Sequence, residues 1–174
     1  MHRGPAGAAT LNTLLQDALI PEHDGTPEKR YGARVFRVGD KVTQLRNNYH
    51  KGTAGIFNGT IAVVTSLSLP EQTLTVLTDE DEQVDYDFAE LDELAHAYAV
   101  TIHRSQGSEY PAVVIPLTTS SWIMLQRNLL YTAVTRAKQL IVLVGSRRAL
   151  AQAVRTPGAG RRHTALTHRL QTAL

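Results

Sequence analysis

Apolar residues first recur at helical spacing, as Leu11, Leu14, Leu15, Ala18 and Leu19. Such spacing places them on one face of an α-helix, so a helix is predicted from a Thr10 N-cap to a stop at Pro21. Residues 21–33, with Pro21, Asp24, Gly25, Pro27 and Gly32, read as a loop. From Val35 to Phe88 the chain changes to β-branched and alternating runs. Strands are predicted at 35–38, 41–45, 60–69, 73–77 and 83–88, with turns at Gly39-Asp40, Asn58-Gly59 and Pro70-Glu71-Gln72. Val84, Tyr86 and Phe88 alternate with Asp85 and Asp87, so that strand buries one face and solvates the other. Short strands joined by tight turns suggest a small SH3-like barrel.

After Glu93 the pattern changes again. Ala97–Ile102 is a short apolar segment, and residues 111–117 and 140–144 are continuous apolar runs. Runs of that kind suit a parallel sheet covered on both faces. Between them Trp122, Leu125, Leu129, Ala133, Val134 and Ala137 fall at helical spacing. Ser146 is placed to cap a helix through Val154; Gly158–Arg162 reads as a loop, and Leu166 and Leu170 mark a last, basic helix. The layout is β–α–β–α, half of a nucleotide-binding α/β domain, interrupted by an all-β insert.

Composition narrows the class. The chain has 174 residues, 43% of them hydrophobic and 20% charged, the balance of a globular protein. It holds no cysteine, which excludes disulfides and thiolate metal sites. No apolar run approaches the roughly 18 residues of a membrane span, and no signal-peptide core opens the chain, so a cytoplasmic location is expected.

The net charge of +2 hides an asymmetry. Residues 79–93 carry nine acids and no base, whereas residues 100–174 carry ten bases and one acid, Glu109. The acid run fits a hairpin tip and the outer face of a strand. The basic half fits either a genome rich in Arg codons or a surface that meets a polyanion. Charge alone does not choose.

Two stretches concentrate polar chemistry ahead of the two apolar strands. The first is Ala99-Val-Thr-Ile-His-Arg-Ser-Gln-Gly-Ser-Glu109. Small and hydroxyl residues around a glycine make an anion or ribose site through their backbone N–H groups. The second is Asn128-Leu-Leu-Tyr-Thr-Ala-Val-Thr-Arg-Ala-Lys138. On a helix, Thr132, Thr135, Arg136 and Gln139 share one side while Leu129, Ala133 and Ala137 pack the other. An Arg held on a packed helix can present its guanidinium to a phosphoryl group across an interface, but spacing alone favours an ordinary residue on a solvated helix face.

Taken together these residues carry a resemblance. His103-Arg-Ser-Gln-Gly-Ser-Glu109 resembles motif V of superfamily 1 helicases, and Tyr131-Thr-Ala-Val-Thr-Arg-Ala-Lys138 resembles motif VI. The stretch from Gly39-Asp-Lys-Val through Arg46-Asn-Asn-Tyr49 to Ile56-Phe-Asn-Gly-Thr60 is similar to the RecD-like branch, and so is the opening Met1–Gly7 followed by Leu11–Leu15. The resemblance implies an α/β fold, a RecA-like second motor domain (residues 1–33 and 95–174) interrupted by an SH3-like β-barrel (residues 34–94). It implies the C-terminal part of an ATP-dependent 5′–3′ DNA helicase. Arg136 would be the catalytic arginine finger, and Gln106, Gly107 and Glu109 would lie at the nucleotide. Thr101 and His103 would contact DNA, with Asn47, Asn48 and Asn58 bordering its path. ATP and Mg²⁺ are the implied cofactors, with the Mg²⁺ ligands in the other motor domain. The implied partners are single-stranded DNA and the N-terminal motor domain of the same polypeptide, with no membrane.

One departure is large. A P-loop needs Gly-Lys-[Ser/Thr], but the four lysines follow Glu28, Asp40, His50 and Ala137, and no Walker B acid pair follows an apolar strand. The chain is therefore expected to be a piece of a longer helicase that does not hydrolyse ATP alone. Two alternatives remain at this level: the helicase portion of a conjugative relaxase, and a stand-alone, non-enzymatic module that binds DNA or protein.

Overall fold

The computed structural model of the chain describes residues 4, 6–23, 25 and 27–158. The expected basic helix around Leu166 and Leu170 lies outside the described residues, as does most of the loop before it. The chain divides into two compact units, residues 1–105 and 106–174.

The first unit opens with α1 (Ala8–Leu19), whose N-cap is Gly7 rather than Thr10; the Thr10 hydroxyl donates instead to the Gly4 carbonyl at 3.0 Å. The helix buries Gln16, while Leu14 and Leu19 are exposed. Of its apolar stripe, Leu11 and Leu15 are half-buried and the rest is exposed. The expected loop at 21–33 contains a strand, β1 (Glu28–Tyr31), paired antiparallel with β2 (Arg34–Arg37). Alternation could not flag β1 because its side chains are Glu, Lys, Arg and Tyr, polar along most of the run.

The remaining strands are β3 (Lys41–Gln44), β4 (Ile61–Ser68), β5 (Thr73–Thr78), β6 (Gln83–Asp87) and β7 (Leu94–His96). They form one antiparallel sheet in the order β6-β5-β4-β3-β7. The sheet is SH3-like in its short strands and tight turns, yet its edge strands β6 and β7 do not pair with each other, so no closed barrel forms. A register shift between Val64 and Ser66 bends β4 across β5. In the core of this unit Phe36, Val42, Val64, Leu74, Val76, Tyr86, Leu91 and Leu94 are almost wholly buried. Each such side chain contributes about 2 kcal/mol by leaving water.

The acid run has a structural account. Asp79–Glu82 form the β5–β6 turn, and Asp85 and Asp87 point outward from β6. Asp87 then caps a 3₁₀ turn (Phe88–Glu93): its carboxylate accepts from Ala89 N at 2.8 Å, and Glu90 accepts from Asp87 N at 3.0 Å. Glu93 departs from the expectation, being 6% exposed.

The second unit contains β8 (Tyr110–Leu117), a 3₁₀ turn (Thr119–Met124), α2 (Arg127–Val134), β9 (Ala137–Gly145) and α3 (Arg147–Arg155). The Ser146 hydroxyl caps α3, accepting from Ala149 N at 3.1 Å. As expected, β8 and β9 pair in parallel. Cover on both faces, however, is not supplied by the described residues: Leu140, Ile141, Val142, Leu143 and Val144 of β9 are all more than a third exposed. Two short helices cannot screen both faces of a parallel pair; Ile115, Leu117, Leu125, Leu129, Ala133, Ala149 and Ala153 make its small core.

Candidate functional site

In the second unit, the parallel register decides what meets what. Tyr110 lies opposite Ala137, so β8 and β9 start level and the segments that precede them converge at the amino ends of the strands. Tyr110 N donates to the Arg136 carbonyl at 2.8 Å, closing that junction. Gly107 sits just before β8 with φ of +89°, a conformation that disfavours any residue with a Cβ. Helix α2 ends at Val134 with Thr135 as its C-cap, earlier than the sequence spacing suggests. Ala137 and Gln139 therefore belong to β9 and not to the helix; Thr132, Thr135 and Arg136 remain together on the last turn.

Each nitrogen of the Arg136 fork has an acceptor, and two of its five N–H donors remain for a ligand. Nε donates to the Thr132 carbonyl at 3.2 Å, Nη2 to the Thr135 hydroxyl at 3.3 Å, and Nη1 to the Ser108 carbonyl at 3.0 Å. Thr135 in turn donates to the Thr132 carbonyl at 3.0 Å. The guanidinium is half-buried and held between the helix end and the glycine turn. Glu109 is exposed, with Lys138 Nζ 3.5 Å from its carboxylate. Both side chains are more than half exposed, so the pair is worth a fraction of a kcal/mol and leaves Glu109 able to accept from a ligand. Gln106 and Gly107 are exposed beside it.

The remaining candidates lie in the first unit. Asn12 of α1 clamps the backbone of Ala99 in both directions: its amide donates to the Ala99 carbonyl and accepts from the Ala99 N–H, each at 2.9 Å. This pair fixes the chain entering the turn that follows. There the Thr101 carbonyl accepts from Arg104 N at 2.9 Å and Ser105 N at 3.1 Å, and the buried Ser105 hydroxyl donates to the Ile102 carbonyl at 2.9 Å. Thr101 is half-buried and His103 exposed. Thr101 and Arg104 border a groove of about 660 Å³ whose other walls include Asn12, Thr13, Arg34 and His96.

Asn48 and Asn58 belong to the β3–β4 connection. Asn58 has an exposed side chain, and its N–H donates to Asn47 Oδ1 at 2.9 Å. Asn48 is committed internally: Nδ2 contacts both Glu93 carboxylate oxygens at 3.1 and 3.2 Å, and Oδ1 accepts from His50 N at 3.1 Å.

Sequence reasoning missed the two buried carboxylates that organise this unit. Burial pushes the Glu93 carboxyl up, but hydrogen bonds from Asn48, Gln44 and Arg46 outweigh it and hold the group below its ordinary 4.5. Asp40 is completely buried; it accepts from Gln16 Nε2 at 2.7 Å, Arg37 N at 2.7 Å and Tyr98 OH at 2.8 Å, with His96 Nε2 at 3.4 Å. Burial again opposes ionisation, and these donors again prevail, lowering the group below 3.8. Asp40 was legible only as a turn residue; Gln16 stands on the helix side opposite the Leu11/Leu14/Leu15 pattern.

Known proteins share both units. A family described as the ATP-dependent RecD-like DNA helicase SH3 domain matches residues 11–77, and the UvrD-like helicase C-terminal domain matches residues 96–144. The chain is 40% identical over 146 residues to the ATP-dependent RecD2 DNA helicase of Deinococcus radiodurans, which covers 84% of this chain and 19% of the relative. It is 32% identical over 172 residues to the RecBCD enzyme subunit RecD of Mycolicibacterium smegmatis, covering 99% of this chain and 28% of that one. The chain thus spans less than a third of the length of these relatives. Its fold resembles that of a Bacteroides Pif1 helicase solved in complex with ADP-AlF3 and ssDNA, with a TM-score of 0.60, 19% identity, and coverage of 95% of this chain and 43% of that one.

Proposed function

The chain belongs to the RecD-like superfamily 1 DNA helicases, of which it carries the SH3-like insert and the C-terminal motor domain, and on that premise we propose that it is the C-terminal part of an ATP-dependent 5′–3′ helicase, supplying the arginine finger and half of the single-stranded DNA groove. Residues 1–33 and 95–174 make the motor domain in this reading, and residues 34–94 the insert. The observation that carries it is the Arg136 fork, held 3.0 Å from the Ser108 carbonyl in the turn that also carries Gly107 and Glu109.

The donor set fits a nucleotide presented from outside. Glu109 offers an exposed acceptor to a ribose hydroxyl, and Gln106 an amide beside it. Nothing stands within 4 Å of the side of Gly107 where a Cβ would be, so that face is open. When bound, ATP supplies the phosphoryl group whose transfer to water drives a motor of this kind. Arg136 places a fixed positive charge where negative charge grows during that transfer. Its site lies at the amino ends of β8 and β9, whereas an open α/β sheet binds its own ligand at the carboxyl ends. That placement suits a residue serving a nucleotide held by the other motor domain, to which the Mg²⁺ ligands are also assigned. Thr101 and His103 touch the DNA strand, the hydroxyl at a phosphate and the ring at sugar or base. Asn48 and Asn58 border its path on the connection between β3 and β4. The location is cytoplasmic, and among the described residues no helix is long and apolar enough to cross a membrane.

The test is ATP hydrolysis and strand displacement by the full-length polypeptide that contains this segment. Hydrolysis stimulated by single-stranded DNA, with none from the isolated segment, supports the reading. A full-length protein that binds DNA without hydrolysing ATP contradicts it and favours the non-enzymatic module.

A further inference from the structure

The connection from β3 to β4, residues 45–60, is built more firmly than a loop needs to be. Asn48 and Ile56 exchange backbone hydrogen bonds at 2.7 and 2.8 Å, and Ile56 is buried in the sheet core. Leu45 N donates to the Glu93 carbonyl at 2.7 Å. Lys51 Nζ reaches Glu90 at 2.7 Å and the Asp85 carbonyl at 2.8 Å while standing over the Tyr86 ring, and Thr53 N donates to Glu82. Gly55, at φ +89°, lets the two limbs close; a Cβ there would stand 3.1 Å from the Tyr49 Cα.

What this scaffold holds out is an aromatic pair. Tyr49 is 69% exposed and Phe57 47% exposed, with ring centroids 5.9 Å apart at 80°. Asn47 touches both limbs, donating to the Tyr49 hydroxyl at 3.1 Å and accepting from Asn58 N at 2.9 Å. The core beneath is already filled, so folding does not require these rings in water. We propose that the Tyr49–Phe57 pair is a stacking platform for bases of single-stranded DNA, an inference that rests on the helicase reading above.

Two rings make a patch far smaller than the several hundred Å² of a protein-docking surface. Their rim is polar, with the exposed Asn58 and His50 side chains beside them, which suits the edges of a stacked base. The neighbouring cations are already paired: Arg46 with Asp92 and Glu93, and Lys51 with Glu90. Attraction at this loop therefore comes from the ring faces and not from phosphate neutralisation. That makes the contact separable from the rest of the interface by its weak dependence on salt.

The test is binding of a fluorescein-labelled oligothymidylate, and of the same backbone without bases, to the full-length protein across a salt series. Tyr49→Ala and Phe57→Ala each weaken binding of the oligothymidylate about tenfold, in line with the loss of one stacked base. The salt slope stays unchanged, the abasic strand is unaffected and Tyr49→Phe binds as the wild type does. Should an alanine variant fold poorly, Tyr49→Trp gives a second readout: the emission it adds to that of the wild-type protein titrated in parallel is quenched by the oligothymidylate and not by the abasic strand. Equal weakening for both strands, unchanged affinity in both alanine variants, or an unquenched Tyr49→Trp overturns the platform while leaving the helicase reading intact. A protein partner lost in Tyr49→Ala with DNA affinity retained overturns it too. A wild-type protein that binds no single-stranded DNA overturns both.

Discussion

Arg136 Nη1 donates to the carbonyl oxygen of Ser108 at 3.0 Å, tying the end of one helicase motif to the glycine turn of another. All three arms of the fork have acceptors, two of them on the helix end that carries the arginine. The side chain is thus pre-oriented, and in the proposed role it would exchange the Ser108 carbonyl for an ionised phosphate oxygen, a stronger acceptor.

The Thr135 hydroxyl is the one side-chain acceptor in that set. Thr135→Val keeps the shape and removes the Nη2 contact, so it is expected to lower the rate of ATP hydrolysis roughly tenfold, less than loss of the arginine itself. Nucleotide affinity stays near the wild-type value. Steady-state kinetics separate the two, since the loss belongs to kcat and not to KM.

Asn48→Ala strips Glu93 of two of its hydrogen-bond contacts and frees one end of the loop that carries Tyr49 and Asn58. A buried carboxylate left short of donors costs about 1–3 kcal/mol, read as a lower midpoint in urea unfolding.

Asn12→Ala removes both hydrogen bonds to the Ala99 backbone and leaves an N–H and a C=O without partners, again about 1–3 kcal/mol. Because the same clamp holds the chain entering the Thr101–His103 turn, single-stranded DNA affinity is expected to fall with it. Thr101→Val is expected to weaken DNA binding with little change in unfolding midpoint, which distinguishes contact from support.

Acid should loosen the first unit. Asp40 and Glu93 both have folded-state values held below the ordinary 3.8 and 4.5. A depressed carboxylate contributes stability that is complete above its unfolded value and is lost as pH falls through the folded one. Urea midpoints should therefore be flat from neutrality to about pH 5 and decline below it. Asp40→Asn lowers the plateau and flattens part of that decline.

Much of this was legible in the sequence, and the reasons for the rest are physical. Strands that alternate, such as Gln83–Asp87, stood close to where their pattern put them, because one buried face forces the period. The parallel pairing of β8 and β9 followed from continuous apolar runs, but the uncovered faces of β9 did not, since a pattern states what must be buried and not by what. Strand β1 was missed because its residues are mostly charged. At the site, Gly107, Glu109 and Arg136 were named from motif identity. Their meeting depends on the Tyr110–Ala137 register, which no local spacing encodes. Asn48 was named from the resemblance, but its partner Glu93, 45 residues away, was hidden in an acid run that looked uniformly solvated.

Whether Arg136 completes a nucleotide site held by the other motor domain is decided by DNA-stimulated ATP hydrolysis in the full-length polypeptide, wild type against Arg136→Ala, with nucleotide binding measured alongside. Turnover is expected to fall by roughly 10³–10⁵ with nucleotide still bound. An unchanged rate would make Arg136 an ordinary structural residue, tied to Ser108 for packing alone, and would rule out the arginine finger.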